Sequence, residues 1–477
     1  MLKKYLGDIA FMQVLNLLVK PIWILVIDAA VQEALPQSVY GNYFALFNTS
    51  LLFFIVLDLG LNNFNITEVA QDNRKIRSLT GSIIGLKILL AILYIIIILF
   101  AGAVLGYSAK EFVLLIILGG IQVVTSLNQF FRSIVASLQH FRIDGIFMVL
   151  DRVLVILFVG VLLWSNIPQL ELTIYNFAYA QLFSLSLVLV GLLLFLRSHL
   201  AHISISFDLD NIVPILKKSW PFALLVTLMG LYTYIDGVMI KELVGDAEAG
   251  VYALGYRFYF ALLMFASVFS GVLIPLFSKN IKNIDVIRSI SGFTSRLLLF
   301  GGIIVSLFSV VYATEILTFV NPDKANTDSA QVLVILLVGF IGSSLTLVYG
   351  ALLTAGKELT WLNRFAAFTL MVNLTLNGIL IPQHNAQGAA IATMVSQLLF
   401  GFVCLIVSIK KYNLQITLNS LLAPTVGVVL LALIILFGQQ YAQSMYVHFS
   451  MIAITILLSA YLFKLYSVND LKSLIKK

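Results

Sequence analysis

Polar and charged side chains within apolar segments are the features of this sequence that can bind a ligand. Lys20 lies near the middle of the first apolar segment, where a charge costs at least about 2.5–3.5 kcal/mol on membrane-insertion scales. Gln13 and Asn16 precede Lys20 by seven and four residues, so the three side chains share one helical face. Pro21 predicts a kink or a loosened turn. We predict a cationic helix face that lines a cavity, with a structural ion pair as the alternative.

A second group of candidate residues lies near residue 250. Arg257 is predicted to contact a phosphate or a sugar acid, because a guanidinium binds oxyanions through paired hydrogen bonds. Tyr256 belongs to an aromatic stripe that is suited either to sugar binding or to helix contacts. Asp236 is predicted to bind a coupling cation or proton, or else to pair with Arg257.

Three further charges lie within apolar segments of the first half. Asp151 and Arg152 are adjacent, so their side chains leave a helix about 100° apart. We predict that one lines the cavity while the other pairs sideways, with Arg152 as a substrate contact and Asp151 as a charge-pairing or ion-coupling group. Lys87 lies about two turns from a span end and either contacts substrate or extends its ammonium to the interface.

The composition requires a membrane protein. Of the 477 residues, 61% are hydrophobic and 11% are charged, and the apolar segments have the roughly 20-residue length that crosses a bilayer. We predict an all-α integral membrane protein with fourteen spans, at residues 8–29, 40–60, 80–105, 111–136, 144–164, 173–196, 219–240, 250–277, 292–319, 330–355, 360–382, 386–409, 419–437 and 446–464.

The basic residues predict the orientation. Of the 29 Lys and Arg residues, 22 are assigned to one side, including those near the cytoplasmic ends of the spans, four lie deeper within spans, and only Lys110, Lys241 and Lys324 lie on the other side. Because basic connectors stay in the cytoplasm, both termini are predicted to be cytoplasmic, in the inner membrane of a bacterium. Nucleic acid is not expected as a partner, since the positive charge follows the membrane topology.

Two stretches of the chain resemble each other at a nearly constant offset. Asp28 is followed by Gly41 after 13 residues, and Asp236 is followed by Gly250 after 14. Residues 76–81 match residues 287–292 at a similar offset. The repeat predicts a six-helix lobe at 1–200, a second at 201–411 and two added spans at 412–477. Transporters built from such repeats commonly bind substrate between them.

The order of three segments resembles a known family. The segments are residues 57–61 (Leu-Asp-Leu-Gly-Leu), residues 234–237 (Tyr-Ile-Asp-Gly) with 250–254 (Gly-Val-Tyr-Ala-Leu), and residues 373–377 (Asn-Leu-Thr-Leu-Asn) with 388–393 (Gly-Ala-Ala-Ile-Ala-Thr). With the fourteen spans, they resemble the polysaccharide (O-antigen-type) flippases of the multidrug/oligosaccharidyl-lipid/polysaccharide exporter superfamily, which have a MATE-like fold. The resemblance implies transport of a lipid-linked (polyprenyl-pyrophosphate) oligosaccharide to the outer leaflet. It also implies membrane lipids, a polysaccharide polymerase and glycosyltransferases as partners.

Enzymatic and ATP-driven functions are not expected. The segment from Gly350 to Lys357 differs from a Walker A motif in spacing, and Glu358 replaces its Ser or Thr. No cofactor or metal is predicted, which leaves the membrane potential, H⁺ or Na⁺ to drive transport. The first alternative is a multidrug/cation antiporter of the same fold, which would need a more acidic cavity. The second is a membrane-embedded transferase, which would need paired carboxylates or a His–Asp set.

Overall fold

A computed structural model gives the architecture of the chain. It describes residues 15–16, 18–62, 75–138, 140–165, 167, 171–201, 204–207, 209–414, 432–434, 454–455 and 457. This part of the chain is helical and contains no β-strand. The chain divides into two compact units, Met1–Ala253 and Leu254–Lys477. The predicted lobes at 1–200 and 201–411 and the appended segment at 412–477 stay predictions.

The first unit packs around apolar side chains of three helices. Its described elements are α1 (a π-helical stretch Trp23–Asp28 continued by the α-helix Ala29–Ala34), α2 (Gln37–Leu52), α3 (Lys75–Val104), α4 (Ala109–Ser137), α5 (Phe141–Trp164), α6 (Ile174–Leu200), α7 (Leu209–Val244) and the first turns of α8 (Asp246–Asn280). Buried residues of α3, α4 and α6, among them Ile83, Phe130 and Val188, form one continuous apolar core.

The first helix is longer than predicted and is not uniformly α-helical. The loosened turn predicted after Pro21 is observed as the π-helical stretch Trp23–Asp28, which begins two residues later. The predicted span ends at residue 29, whereas the six-residue α-helix Ala29–Ala34 follows Asp28. Asp28 is therefore about 9 Å from the helix end, whereas the predicted span 8–29 placed it one residue from that end.

The second helix breaks at the Leu-Asp-Leu-Gly-Leu segment. α2 ends at Leu52, a 3-10 turn follows at Phe54–Leu57, and Leu59 and Gly60 have φ values of 45° and 81°. Left-handed backbone is strained for Leu and readily adopted by Gly. Contacts from neighbouring helices must therefore hold this bend.

The second unit ends, in its described part, with a helical hairpin. Its elements are the rest of α8, α9 (Ile284–Val320), α10 (Thr327–Leu345, continued by the π-helical stretch Thr346–Gly350 and the α-helix Ala351–Ala355) and α11 (Leu359–Tyr412). α11 is broken at Asn385, which has a φ of 49°. A Cβ on Gly388 would overlap the carbonyl group of Leu380, so the two arms fold back on each other. The arms correspond to the predicted spans 360–382 and 386–409.

Glycines allow α10 to touch the second arm of α11. A Cβ on Gly342 would overlap the carbonyl group of Gln397, and a Cβ on Gly401 would overlap the carbonyl group of Gly342. Small residues at helix contacts let backbones approach closely within a membrane. A side chain larger than hydrogen at Gly342 or Gly401 therefore has no room at the contact between α10 and the second arm of α11.

The helices are long and apolar enough to cross a membrane. Within the described residues, nine helices meet this criterion, counting the two-armed α11 once. The all-α, multi-pass architecture is thus confirmed. The predicted spans 419–437 and 446–464 lie almost wholly outside the described residues, so the count of fourteen stays a prediction.

Gly342→Ala is expected to destabilise the protein by about 1–3 kcal/mol, because the added methyl group forces α10 away from α11. Gly378→Ala is the matched control. It lies in the first arm of α11 with no atom within 4 Å of an added Cβ, and alanine should stabilise the helix by about 0.5–1 kcal/mol. Thermal unfolding in detergent measures both changes. Equal midpoints for Gly342→Ala and the wild type would contradict the packing.

Candidate functional site

Charged side chains from three helices gather around Lys20 in the first unit. Asn16, one turn before Lys20, donates its Nδ2 to Met148 Sδ on α5 at 3.5 Å. Arg152 and Asp151, also on α5, and Arg132 on α4 are close enough to Lys20 to interact with it electrostatically. The charged cluster, as we call it, consists of Lys20, Arg132, Asp144, Asp151 and Arg152.

Two ion pairs hold the arginines of the charged cluster. Arg132 Nε lies 2.7 Å from Asp144 Oδ1, and Arg152 Nε lies 3.4 Å from Asp151 Oδ2. Lys20 makes no ion pair or hydrogen bond within the described part of the chain. Three cations face two carboxylates, so the charged cluster carries an excess positive charge that an anion can neutralise.

Asp151 and Arg152 bind each other, a pairing that the sequence analysis did not include, and which of them lines a cavity stays a prediction. Their Cα–Cβ bonds diverge around α5 by about 100°, but the Arg side chain is long enough to turn its Nε back to the neighbouring carboxylate. The guanidinium of Arg152 also lies 5.5 Å from the centre of the Trp23 ring. This cation–π contact holds Arg152 against the π-helical stretch of α1.

Arg132 is a member of the charged cluster that the sequence analysis did not select. It was counted among the cytoplasmic charges because it lies near the cytoplasmic end of the predicted span 111–136. The observed α4 runs to Ser137 and carries a polar stripe at Gln122, Ser126 and Gln129. Arg132 follows Gln129 by three residues and extends that stripe, which is the signal that could have identified it.

Each acid of the internal repeat is bound by a tyrosine. Tyr40 donates its hydroxyl to Asp28, with the two carboxylate oxygens at 2.9 and 2.8 Å. Tyr252 donates its hydroxyl to Asp236 Oδ2 at 3.0 Å. These hydrogen bonds partly replace the water that each carboxylate loses on burial. Ion coupling through Asp236 or Asp151 stays a prediction.

Lys87 is held entirely by acceptors of the protein. Its Nζ donates to the Leu57 carbonyl oxygen at 3.0 Å, to Asp58 Oδ1 at 3.3 Å and to Ser126 Oγ at 2.9 Å. Ser126 donates its own hydroxyl to the same Leu57 oxygen at 2.9 Å. An ammonium group has three N–H donors, and all three are engaged at the bend after α2. This arrangement favours a structural role for Lys87, and a substrate contact stays a prediction.

Arg257 and Tyr256 lie in the second unit. Arg257 is buried, and its Nη1 donates to Asn321 Oδ1 at the end of α9 at 2.9 Å. The ring of Tyr256 is also buried, 5.8 Å from that of Tyr259. The substrate contacts of both residues stay predictions. Gln13 lies outside the described residues.

The sequence of the chain matches one family over most of the region described above. A model of the polysaccharide biosynthesis protein family covers residues 8–281, which is more than half of the chain. The chain belongs to this family. The residues that match the polysaccharide biosynthesis family model include the whole charged cluster and every site residue predicted from the sequence.

One sequence relative and two solved structures are similar to this polysaccharide biosynthesis family member at low identity. An uncharacterised membrane protein of Methanocaldococcus jannaschii is 28% identical over 214 residues, and the match spans 43% of the chain and 48% of that relative, about half its length. The lipid II flippase MurJ, in an inward closed conformation, is 15% identical with a TM-score of 0.73, covering 98% of this chain and 99% of its own. An inward-facing multidrug resistance MATE family transporter is 14% identical with a TM-score of 0.66, covering 84% and 98%. These structural similarities agree with the predicted MATE-like fold.

Lys87→Met is expected to destabilise the protein by about 3–5 kcal/mol, because it leaves Asp58 and the Leu57 carbonyl group without their buried cation. Lys282→Met is the matched control, since Lys282 is exposed and makes no side-chain contact within the described residues. Its effect should stay within about 0.5 kcal/mol. Thermal unfolding measures both variants. If Lys87→Met unfolds like the wild type but fails to transport, Lys87 contacts substrate instead.

Proposed function

We propose that the protein is a flippase that moves a lipid-linked oligosaccharide, on a polyprenyl pyrophosphate carrier, from the cytoplasmic to the outer leaflet of the bacterial inner membrane. Its membership of the polysaccharide biosynthesis family supports a role in making a polysaccharide, for which such a lipid-linked oligosaccharide is a precursor. The observation that carries the proposal is the charged cluster, because Lys20 has no partner within the described residues and cations outnumber acids.

The donors left open in the charged cluster suit a pyrophosphate. An Arg side chain has five N–H donors in a planar fork. Within the described residues, Arg132 makes one hydrogen bond, from its Nε, and Arg152 makes one contact with a carboxylate, also from its Nε. The terminal nitrogens of both groups are therefore available for phosphate oxygens, and Lys20 adds an ammonium group that has no partner within the described residues.

Transport proceeds by alternating access in this proposal. Both termini are cytoplasmic, and the sugar–pyrophosphate head group enters the charged cluster while the lipid tail stays in the bilayer. An anion that moves outward is driven by an inside-negative potential, worth about 2.3 kcal/mol per charge per 100 mV. The membrane potential, with H⁺ or Na⁺ as further candidates, then replaces ATP. Glycosyltransferases supply the substrate and a polysaccharide polymerase, for O-antigen or another surface glycan, consumes it.

A multidrug/cation antiporter is the alternative that this fold also allows. A site for cationic drugs needs an excess of carboxylates, whereas the charged cluster has three cations and two acids. A membrane-embedded transferase would need paired carboxylates or a His–Asp set at one membrane face. The flippase therefore fits the charges best.

Flipping of a fluorescent polyprenyl-pyrophosphate oligosaccharide in reconstituted vesicles tests the proposal. Lys20→Met and Arg132→Lys are each expected to slow flipping by about tenfold or more, because a hydrogen bond to a charged group contributes about 1.5–3 kcal/mol. Arg132→Lys keeps the positive charge beside Asp144 but loses the planar fork. Lys282→Met, at a cytoplasmic connector, should flip at the wild-type rate.

Full flipping by Lys20→Met, present at normal levels, would contradict the cationic site. Arg257→Ala tests the second unit separately, since its guanidinium donates to Asn321 within that unit. Absence of flipping by the wild type, together with efflux of cationic drugs, would favour the antiporter.

A further inference from the structure

The ends of four helices of the first unit meet at Lys241, on the side predicted to be outside. Lys241 Nζ lies 2.6 Å from Glu111 Oε1 on α4 and 2.8 Å from Asp246 Oδ1 at the start of α8. Asn42 on α2 donates to the same Glu111 oxygen at 3.3 Å. The side chains of Lys241 and Glu111 are only 10% and 16% exposed. One ammonium group thus joins the ends of α7, α4 and α8, and Glu111 extends the connection to α2.

Hydrogen bonds to Ser108 hold the carboxylate of Glu111 in place, independently of Lys241. The backbone N–H and the hydroxyl of Ser108 both donate to Glu111 Oε2 at 2.7 Å, and the Glu111 N–H donates to Ser108 Oγ. This capping box starts α4. Tyr107 supports the same corner, because its ring lies 5.4 Å from Lys241 Nζ and its hydroxyl lies 3.0 Å from Thr49 Oγ1. Burial raises the pKa of Tyr107 to about 12, so this hydroxyl stays protonated at neutral pH.

Two glycines at equivalent positions of the internal repeat bring backbones into contact beside these ion pairs. A Cβ on Gly41 would overlap the carbonyl group of Asp246, and a Cβ on Gly250 would lie 2.5 Å from the Gln37 carbonyl oxygen. Gln37 in turn donates its Nε2 to the Ala247 carbonyl oxygen at 3.2 Å. The outer seam, as we call this contact, consists of Gly41, Glu111, Lys241, Asp246 and Gly250.

We propose that the outer seam is the closed outer gate of the transporter and that Lys241 is its lock. A transporter built from repeats opens by moving one repeat against the other, and the outer seam joins equivalent elements of the two. Parting them breaks the ion pair between Lys241 and Glu111 and exposes both partly buried charges, because Glu111 belongs to the first repeat whereas Lys241 and Asp246 belong to the second. That the outer seam faces outside rests on the proposed function and the predicted orientation. The contacts within the outer seam are observed directly.

Asn48 provides a reporter that lies deeper than the outer seam. It is on α2, about 10 Å along the helix from Gly41, is buried, and packs against Gly237 of α7. Cys404 is the only cysteine of the chain. Asn48→Cys in a Cys404→Ala background therefore gives a single thiol behind the outer seam. A membrane-impermeant maleimide added from outside reaches it only when the outer seam is open.

Lys241→Met is expected to increase the labelling rate of this thiol by about tenfold, because it leaves Glu111 and Asp246 without the cation that joins them. Glu111→Gln removes the ion pair that joins the two repeats and should give a similar increase. Lys110→Met is the matched control, since Lys110 is an exposed lysine on the same side whose side chain makes no contact within the described residues. Its labelling rate should equal that of the parent.

An unchanged labelling rate in Lys241→Met, with normal amounts of protein in the membrane, would overturn the lock. If that variant does not accumulate, an unchanged rate in Glu111→Gln overturns it equally. Lys110→Cys, labelled from outside, tests the orientation by itself, and its failure to react would refute the proposed orientation. Neither measurement requires a lipid-linked substrate, so a wrong substrate assignment would leave the labelling result intact.

Discussion

A charge inside a hydrocarbon layer needs either partners from the protein or contact with water, and the two lysines of the first unit meet this requirement in opposite ways. Lys87 has an acceptor for each of its N–H groups, and these hydrogen bonds connect α3 to α4 and to the bend after α2. Lys20 has no such partner within the described residues. An unpaired cation at that depth is stable only beside a polar cavity, which is why the charged cluster is the natural place for an anionic substrate.

Breaks in the helices bring these charges to their positions. The bend at Leu59 and Gly60 exposes the Leu57 carbonyl group, and that oxygen accepts hydrogen bonds from both Lys87 and Ser126. Non-helical backbone at membrane depth requires such compensation, since no water replaces the missing intrahelical bonds. Irregular backbone and buried charge therefore stabilise each other here.

The sequence predicted the helical, multi-pass architecture, the loosening after Pro21 and the family, because apolar length, proline and the order of short segments are local signals. It also selected Lys20, Asp151 and Arg152, which do lie together. It missed Arg132, since a basic residue near a cytoplasmic span end is usually a topological charge. It could not distinguish Lys87 from Lys20, because the acceptors of Lys87 come from distant parts of the chain. The mutual pairing of Asp151 and Arg152 was likewise hidden, because helical geometry gives the direction of Cβ and not the path of a long side chain.

The break in α11 has a consequence for how the protein is made. Asn385 turns the chain within a single residue, and Gly388 lies against Leu380, so the two arms have almost no connector between them. Only a short polar tip around Gln383 and His384 separates them. During synthesis such a hairpin can enter the bilayer as one piece, with its backbone hydrogen bonds already formed within each arm. Very little hydrophilic chain must then be carried across the membrane, and the second arm needs no insertion signal of its own.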